Sequence, residues 1–347
     1  MAFSQQDTEC MALALKLSKK GRASVGANPM VGCVITRDGK IVAQDYHRQY
    51  GKSHAEVNAL DQIKHQGKGT KLYVTLEPCS HQGKTPPCTK ALIKSGVKNV
   101  VVAMLDPNPM VSGRGVKLLK DAGIEVDIGL LQSEAMELNR GFIKRMETGM
   151  PFVTTKIAMS LDGGTAMGSG ESQWITSDTA RLDVQKLRSN NQAIMTGSGT
   201  IINDNPKMTV RLNDSESNPL RVIVDSGNKI SDQNLNIFSS DASTLVLNDG
   251  NSKILSNGKI DLKLTLIKLG EMGINNLLLE AGSGLNGAML EAGLIDEFII
   301  YTAPVILGSD TKPMIEIPLT KISEKIQLNI LDIRKIGEDI KIKAVLK

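Results

Sequence analysis

Apolar positions change period repeatedly along the chain, and each period predicts an element. Over residues 7–19, Met11, Ala12, Ala14 and Leu15 recur at helical spacing, and Gly21 ends the run. Two short apolar runs, 32–36 and 41–43, flank Asp38-Gly39 and read as a hairpin through a tight turn. His54 opens a helix continued by Ala55, Val57, Ala59 and Leu60. A strand follows over 71–76, a helix over 87–95 started by Pro86-Pro87, and a strand over 100–104. Gly113-Arg114-Gly115 opens a helix to Ala122, 124–126 is a short strand, and a helix runs from Ser133 towards Arg145. This alternation predicts a layered α/β domain with parallel strands. Gly149-Met150-Pro151 breaks the last helix and sets a boundary, giving domains 1–149 and 150–347.

The second half starts with a strand over 152–158 and a turn at Asp162-Gly163. A helix spans about 178–188, and the run 193–195 leads into Gly197-Ser198-Gly199-Thr200. Residues 221–224 and 244–247 read as buried strands, while 213–218 and 225–243 are polar and loop-rich. The strand 277–281 enters Gly282-Ser283-Gly284-Leu285-Asn286-Gly287, followed by a helix over 288–292. A strand over 298–301 and an alternating tail around Gly337-Glu338 close the chain as a hairpin. No internal repeat or low-complexity segment is present.

Chemistry concentrates in the first half. His54-Ala55-Glu56, answered by Pro78-Cys79 and Cys88, is the zinc-deaminase pattern. In it one His and two Cys hold Zn²⁺ while the Glu stays off the metal and moves protons. The candidate ligands are therefore His54, Cys79 and Cys88, with Glu56 catalytic. Each Cys falls near a helix N-terminus, where the dipole helps keep thiolates ionised. Three protein ligands leave a fourth position for water. A structural site completed by His81 is the alternative, but it has no use for Glu56. Eight residues separate Cys79 from Cys88, against two in nucleic-acid-editing deaminases.

The sequence Gly282 to Gly287 matches G-x-G-x-x-G between a buried strand and a helix, a context that suits a phosphate. A plain strand-to-helix turn explains the glycines equally well. The ribose-binding acid expected about 20 residues on is missing, with Thr302-Ala303-Pro304 in its place. That favours NADP over NAD if a dinucleotide binds.

Composition narrows the partners. The 347 residues suffice for two cores. With 41 Lys plus Arg against 37 Asp plus Glu, the net charge of +4 suits small anions without forming a polybasic tract. Aromatics at 3% leave few stacking platforms for nucleic acid. Four cysteines do not make a disulfide framework, and Cys10 and Cys33 read as small core residues. The N-terminus carries Asp7 and Glu9 ahead of its apolar patch, so it reads as a helix rather than a signal peptide. No apolar run is long enough to span a membrane. A cytoplasmic enzyme without membrane or nucleic-acid partners is expected.

The run Thr75-Leu76-Glu77-Pro78-Cys79-Ser80-His81-Gln82-Gly83-Lys84-Thr85-Pro86-Pro87-Cys88 resembles the deaminase domain of the bifunctional riboflavin-biosynthesis deaminase–reductases. Asn28-Pro29-Met30-Val31-Gly32 and Asp106-Pro107-Asn108-Pro109 fit the same family. In the second half, the stretches 156–163, 171–176, 204–211 and 280–284 resemble its reductase. The resemblance implies a cytidine-deaminase-like three-layer α/β/α domain followed by a dihydrofolate-reductase-like α/β domain. It implies zinc and NADPH as cofactors and a phosphoribosyl-pyrimidine substrate. The first domain would deaminate 2,5-diamino-6-(5-phosphoribosylamino)pyrimidin-4-one to the uracil, and the second would reduce ribosyl to ribityl.

By the same resemblance, Asn28, His47, Lys84 and Asn108 would hold the deaminase substrate. Ala158, Trp174, Thr200, Asp204 and the loop Gly282, Ser283, Gly284, Leu285, Asn286, Gly287 and Ala288 would meet NADPH. Lys156, Ser172, Arg188, Met208, Arg211 and Glu280 would meet the reductase substrate, with the arginine forks suited to its phosphate. Trp174, the single Trp, reads alternatively as a core anchor, and His65 reads as surface. Ala27 and Met208 depart from the family's usual Pro and Leu without touching the proposed chemistry. A homo-oligomer, a dimer by preference, is expected through the reductase half. The rivals are a nucleic-acid base deaminase with an appended domain, which the long Cys loop argues against, and a binding module with structural zinc, which Glu56 argues against.

Overall fold

Ser4 begins the first helix, α1 (Gln5–Ser18), as a capping box in which its hydroxyl accepts the Asp7 N–H and the Asp7 carboxylate accepts the Ser4 N–H. In the computed structural model, residues 3–108, 111–212, 218–255 and 257–347 are described, so Pro109 and the polar stretch 213–217 lie outside them. The chain divides into two units, Met1–Gly149 and Met150–Lys347.

In the first unit, β1 (Gly32–Arg37) and β2 (Lys40–Tyr46) form the hairpin expected at Asp38-Gly39, both residues having positive φ. Then come α2 (Ala55–Gln62), β3 (Thr70–Val74), α3 (Cys88–Ser95), β4 (Asn99–Val102), α4 (Arg114–Asp121), β5 (Glu125–Ile128), α5 (Gln132–Leu138) and α6 (Arg140–Thr148). The sheet order is β2-β1-β3-β4-β5. Only β3, β4 and β5 run parallel. The tight turn at residues 38–39 makes β1 and β2 the antiparallel hairpin expected from the sequence, and β1 also meets β3 antiparallel.

The helix expected from Ser133 is broken at Asn139. Its buried amide accepts the Met30 N–H at 2.8 Å and donates to the Met30 carbonyl at 3.0 Å, which holds the chain just after Asn28. Met11, Ile35, Leu60, Leu72, Leu92 and Leu119 are fully buried around the sheet. Each contributes about 1.5–3 kcal/mol over its exposed form.

The second unit contains β6 (Phe152–Ser160), β7 (Gly164–Met167), α7 (Asp178–Ser189), β8 (Ala193–Gly197), α8 (Ser198–Asp204), β9 (Leu220–Val224) and β10 (Thr244–Leu247). It continues with α9 (Leu262–Glu271), β11 (Asn276–Leu279), α10 (Ser283–Glu291), β12 (Glu297–Ala303), β13 (Thr311–Pro313), β14 (Leu328–Ile336) and β15 (Asp339–Leu346). The main sheet is ordered β10-β9-β8-β11-β6-β12-β15-β14, parallel up to β12 and antiparallel thereafter. β13 pairs with β7 separately.

Helix α9 is absent from the sequence reading for a physical reason. Leu262, Leu264 and Leu266 alternate with period 2 as well as fitting a helix face, and the Asp261 carboxylate, accepting the Leu264 N–H at 3.0 Å, is what starts the turn. The polar stretch at 225–243 holds one 3₁₀ turn, Asn236–Phe238, and no strand. The parallel strands of this sheet point their carboxyl ends at one rim, where open α/β sheets gather ligands.

Candidate active sites

His54 is the N-cap of α2 and Glu56 lies in its first turn. Cys79 follows β3 by a short turn, and Cys88 is the first residue of α3. The His54 Nδ1 lies 3.2 Å from the Cys88 sulfur and 3.5 Å from the Cys79 sulfur. Tetrahedral zinc with its usual bond lengths separates a nitrogen and a sulfur ligand by about 3.5 Å. The three ligand atoms lie within 4.8 Å of one another, so the donor set fits zinc in spacing and in chemistry. Among the described residues this group consists of His54, Cys79 and Cys88, and His81 lines the same cavity without joining it.

The donors are prepared for a cation. The Cys88 N–H and thiol both donate towards the Cys79 sulfur, which holds the Cys79 thiol well below its usual range while Cys88 is pushed up. Thr85, which sequence reasoning passed over, places its hydroxyl 3.5 Å from the outer His54 nitrogen, Nε2. Glu56 is buried, and burial raises its carboxyl despite the opposing His54 charge. That suits a group that must both take and return a proton.

A cavity of about 290 Å³ opens over these groups, lined by Asn28, His47, Lys84 and Asn108 as well as Tyr50, His81 and Asp106. His47 Nδ1 lies 3.1 Å from the Ser53 carbonyl, which only accepts, so Nδ1 carries the proton. Its Nε2 then accepts from the Asn28 amide at 2.9 Å, leaving the Asn28 carbonyl oxygen as that side chain's acceptor. His47 is thus committed on both nitrogens and acts on the cavity through Asn28. The Lys84 ammonium sits 4.1 Å from the centre of the Tyr50 ring at the cavity mouth.

In the second unit a cleft of about 1370 Å³ runs along the carboxyl ends of the parallel strands. It brings together Lys156, Ala158, Ser172, Trp174, Arg188, Thr200, Asp204, Met208, Arg211 and Glu280, with Gly282 to Asn286 and Ala288. Gly287 is the exception in its loop. A Cβ there would stand 2.0 Å from the Glu316 carbonyl oxygen, so this glycine serves close packing and does not line the cleft. Gly282 faces open space, which is what backbone approach to a dinucleotide requires. Trp174 is 66% exposed beneath the Arg181 guanidinium, so it is no core anchor. The Ser172 hydroxyl donates to Asp204 at 2.9 Å, joining two residues the sequence assigned to different ligands.

The Arg188 fork does not stand open for a phosphate. It closes on Glu280 with two bonds of 2.7 and 2.9 Å and donates a third to the Thr209 carbonyl. The Lys156 ammonium lies 3.9 Å from the same carboxylate. Burial pushes the Glu280 carboxyl up, but the Arg188 charge and hydrogen bonds, then Lys156 and Arg211, hold it down at about 2. Burial pulls the Lys156 ammonium below its usual range. Arg211 is an exposed cation lining the same cleft.

Comparison with known proteins matches both units. Residues 4–104 match the family model described as the cytidine and deoxycytidylate deaminase zinc-binding region. Residues 151–342 match the RibD C-terminal domain. The chain is 44% identical to the riboflavin biosynthesis protein RibD of Escherichia coli, over 96% of this chain and 98% of that one. It is 42% identical to that of Haemophilus influenzae, over 99% and 98%. Acinetobacter baumannii RibD superposes with a TM-score of 0.91 at 40% identity, covering 99% of each chain. The Thermotoga maritima diaminohydroxyphosphoribosylaminopyrimidine deaminase/5-amino-6-(5-phosphoribosylamino)uracil reductase superposes with a TM-score of 0.89 at 32% identity, again over 99% of each.

Proposed function

The chain belongs to the RibD family of bifunctional riboflavin-biosynthesis deaminase–reductases, and from that premise we propose how its two sites divide the work. The enzyme deaminates 2,5-diamino-6-(5-phosphoribosylamino)pyrimidin-4-one to 5-amino-6-(5-phosphoribosylamino)uracil, then reduces the ribosyl group to ribityl with NADPH. The observation that carries the first step is the His54, Cys79 and Cys88 cluster beside a buried Glu56.

Zinc, when bound, is a Lewis acid that lowers the pKa of a coordinated water. Glu56 takes a proton from the attacking water and passes it to the ring nitrogen next to the reacting carbon. It then takes the second proton from the hydroxyl added to that carbon and delivers it to the amino group, which leaves as ammonia as the carbonyl forms. His54, Cys79 and Cys88 hold the metal. Asn28 presents its carbonyl oxygen to a ring N–H, in the orientation His47 imposes, and Asn108 lines the same cavity. Lys84 meets the phosphoribosyl part at the cavity mouth.

NADPH, when bound, supplies the hydride that converts ribosyl to ribityl. Gly282, Ser283, Gly284, Leu285, Asn286 and Ala288 bring backbone and the α10 N-terminus to its phosphates, with Ala158, Trp174, Thr200 and Asp204 along the rest of the cofactor. Lys156 holds a proton at Nζ against the sugar oxygen, its ammonium facing Glu280, which Arg188 holds in place. Ser172 and Met208 shape the sugar end, and Arg211 receives the substrate phosphate.

The assembly is a homodimer through the reductase half. β14 is the edge of its sheet, and Ile330, Leu331 and Ile333 are each at least half exposed along it, an edge that needs cover. A monomer in light scattering at micromolar concentration would overturn that assignment. No helix among the described residues is long and apolar enough to cross a membrane, which supports a cytoplasmic setting. The activities are tested by incubating the protein with the diaminopyrimidine substrate. Without NADPH the uracil and ammonia should accumulate, and with it the ribityl product should replace the uracil.

A further inference from the structure

Glu77, two residues before Cys79, is buried, yet no cation pairs with it among the described ion pairs. Its carboxylate instead accepts four backbone N–H groups from one later segment. Oε2 takes Asp106 at 3.1 Å and Gly113 at 2.9 Å. Oε1 takes Gly115 at 2.8 Å and Val116 at 3.1 Å. Gly115 is pressed so close that a Cβ would meet the Pro78 carbonyl oxygen at 2.1 Å. Helix α4 has no side-chain cap of its own and no acid in its first turn, so Glu77 does that work from the turn that follows β3.

The segment fixed in this way carries Asn108. Asp106 and Gly113 bracket it, and the Asn108 N–H donates to the Asp106 carboxylate at 2.9 Å while its carbonyl accepts from Val111 and Ser112. Cys79 and Asn108 line the same cavity. One carboxylate therefore ties the chain entering the metal ligand Cys79 to both ends of the substrate wall. We infer that Glu77 is a positioning residue for deamination, setting the distance between the metal and Asn108 without touching either reactant. The inference rests on the reading of Asn108 as a substrate contact.

Glu77→Gln keeps one oxygen and turns the other position into a donor facing two donors, so one pair of N–H bonds is lost. Misplacement of a substrate-positioning group by about 1 Å costs on the order of 10²-fold. E77Q in the full-length chain should lower deamination kcat/KM by about that factor, chiefly through KM. Bound zinc should stay at the wild-type content, and NADPH-dependent reduction of the uracil intermediate should be unchanged. The decisive comparison adds Asn108→Ala. If Glu77 acts through Asn108, E77Q/N108A loses no more than the worse single variant.

Full multiplication of the two losses, or wild-type kcat/KM in E77Q, overturns the role of Glu77. Wild-type deamination in N108A alone overturns instead the assignment of Asn108. If E77Q loses its zinc, Glu77→Asp takes its place in the same cycle: it keeps the charge but is one methylene too short to reach both donor pairs, and the same two outcomes decide.

Discussion

Replacing Glu280 by Gln tests the electrostatics of the reductase cleft. The carboxylate is the shared counter-charge of Arg188, at 2.7 Å, and Lys156, at 3.9 Å, and all three side chains are largely withdrawn from solvent. Holding its carboxyl at about 2 instead of the ordinary 4.5 corresponds to about 3 kcal/mol of folded-state stability. That agrees in size with the roughly 3–5 kcal/mol for removing one partner of a buried pair. The sign follows from the direction of the shift. A carboxyl depressed in the folded state stabilises above its unfolded pKa, and the contribution is lost as pH falls towards the folded value. At 2–4 °C per kcal/mol for a unit of this size, E280Q should melt the reductase unit roughly 6–20 °C lower at pH 7. The gap should close as pH is lowered from about 5 towards 2. Calorimetry of both proteins across that range is the assay. A gap that is absent at pH 7, or that persists undiminished near pH 2, would refute the reasoning. Reduction should fall as well, since Lys156 and Arg188 lose the group that orients them, while deamination should continue.

Other expectations follow from single contacts. Cys79→Ser or Cys88→Ser should reduce bound zinc from about one per chain and abolish deamination; full zinc retention in either, by metal analysis, rules out the ligand set. Gly287→Ala drives a methyl into the Glu316 carbonyl, so NADPH affinity measured by fluorescence titration should weaken, and unaltered affinity would separate that packing from the cofactor site. Asp7 accepts from Lys71 at 2.6 Å and Tyr73 at 2.7 Å; burial raises its carboxyl, but these partners and Ser4 hold it well below the usual range. Asp7→Asn should cost the deaminase unit about 1–2 kcal/mol at pH 7, discounted for the solvent reaching Lys71. The loss should shrink as pH falls below the ordinary carboxylate range, because the unfolded chain takes up its proton while the folded Asp7 resists it; denaturant melts that differ equally at pH 7 and pH 2 would contradict it.

What could be read from the sequence was what is local. His54, Glu56, Cys79 and Cys88 announce themselves because each pair is spaced by one helix start or one short loop, and metal chemistry leaves few alternative uses for that set. The hairpin at Asp38-Gly39 and the closing strands were legible through turn chemistry and alternation. Glu77 was not, because its four donors are backbone groups 29 to 39 residues further along, and backbone carries no sequence signal. Asn139 broke an otherwise regular helix for a bond to Met30, 109 residues earlier. Arg188 and Glu280, 92 residues apart, were assigned separately to a substrate, and only the fold reveals that they satisfy each other. Gly287 was counted with its loop for the same reason: the chain it packs against arrives 29 residues later, at Glu316.

The central claim is that two independent sites share one chain, and Glu56→Gln measured beside Gly284→Phe tests it most directly. Glu56→Gln keeps the size of the side chain and removes the proton carrier, so zinc should stay bound while ammonia release falls by at least roughly 10²–10⁴-fold. Gly284 has open space at its Cβ, with only the Glu316 carboxylate 3.9 Å away, so a Phe fits the protein and obstructs the cofactor. Ammonia release and NADPH oxidation are followed in both variants, each reaction started from its own substrate. The account predicts that Glu56→Gln loses only deamination and Gly284→Phe only reduction. Loss of both activities in a folded, zinc-loaded Glu56→Gln protein would contradict it.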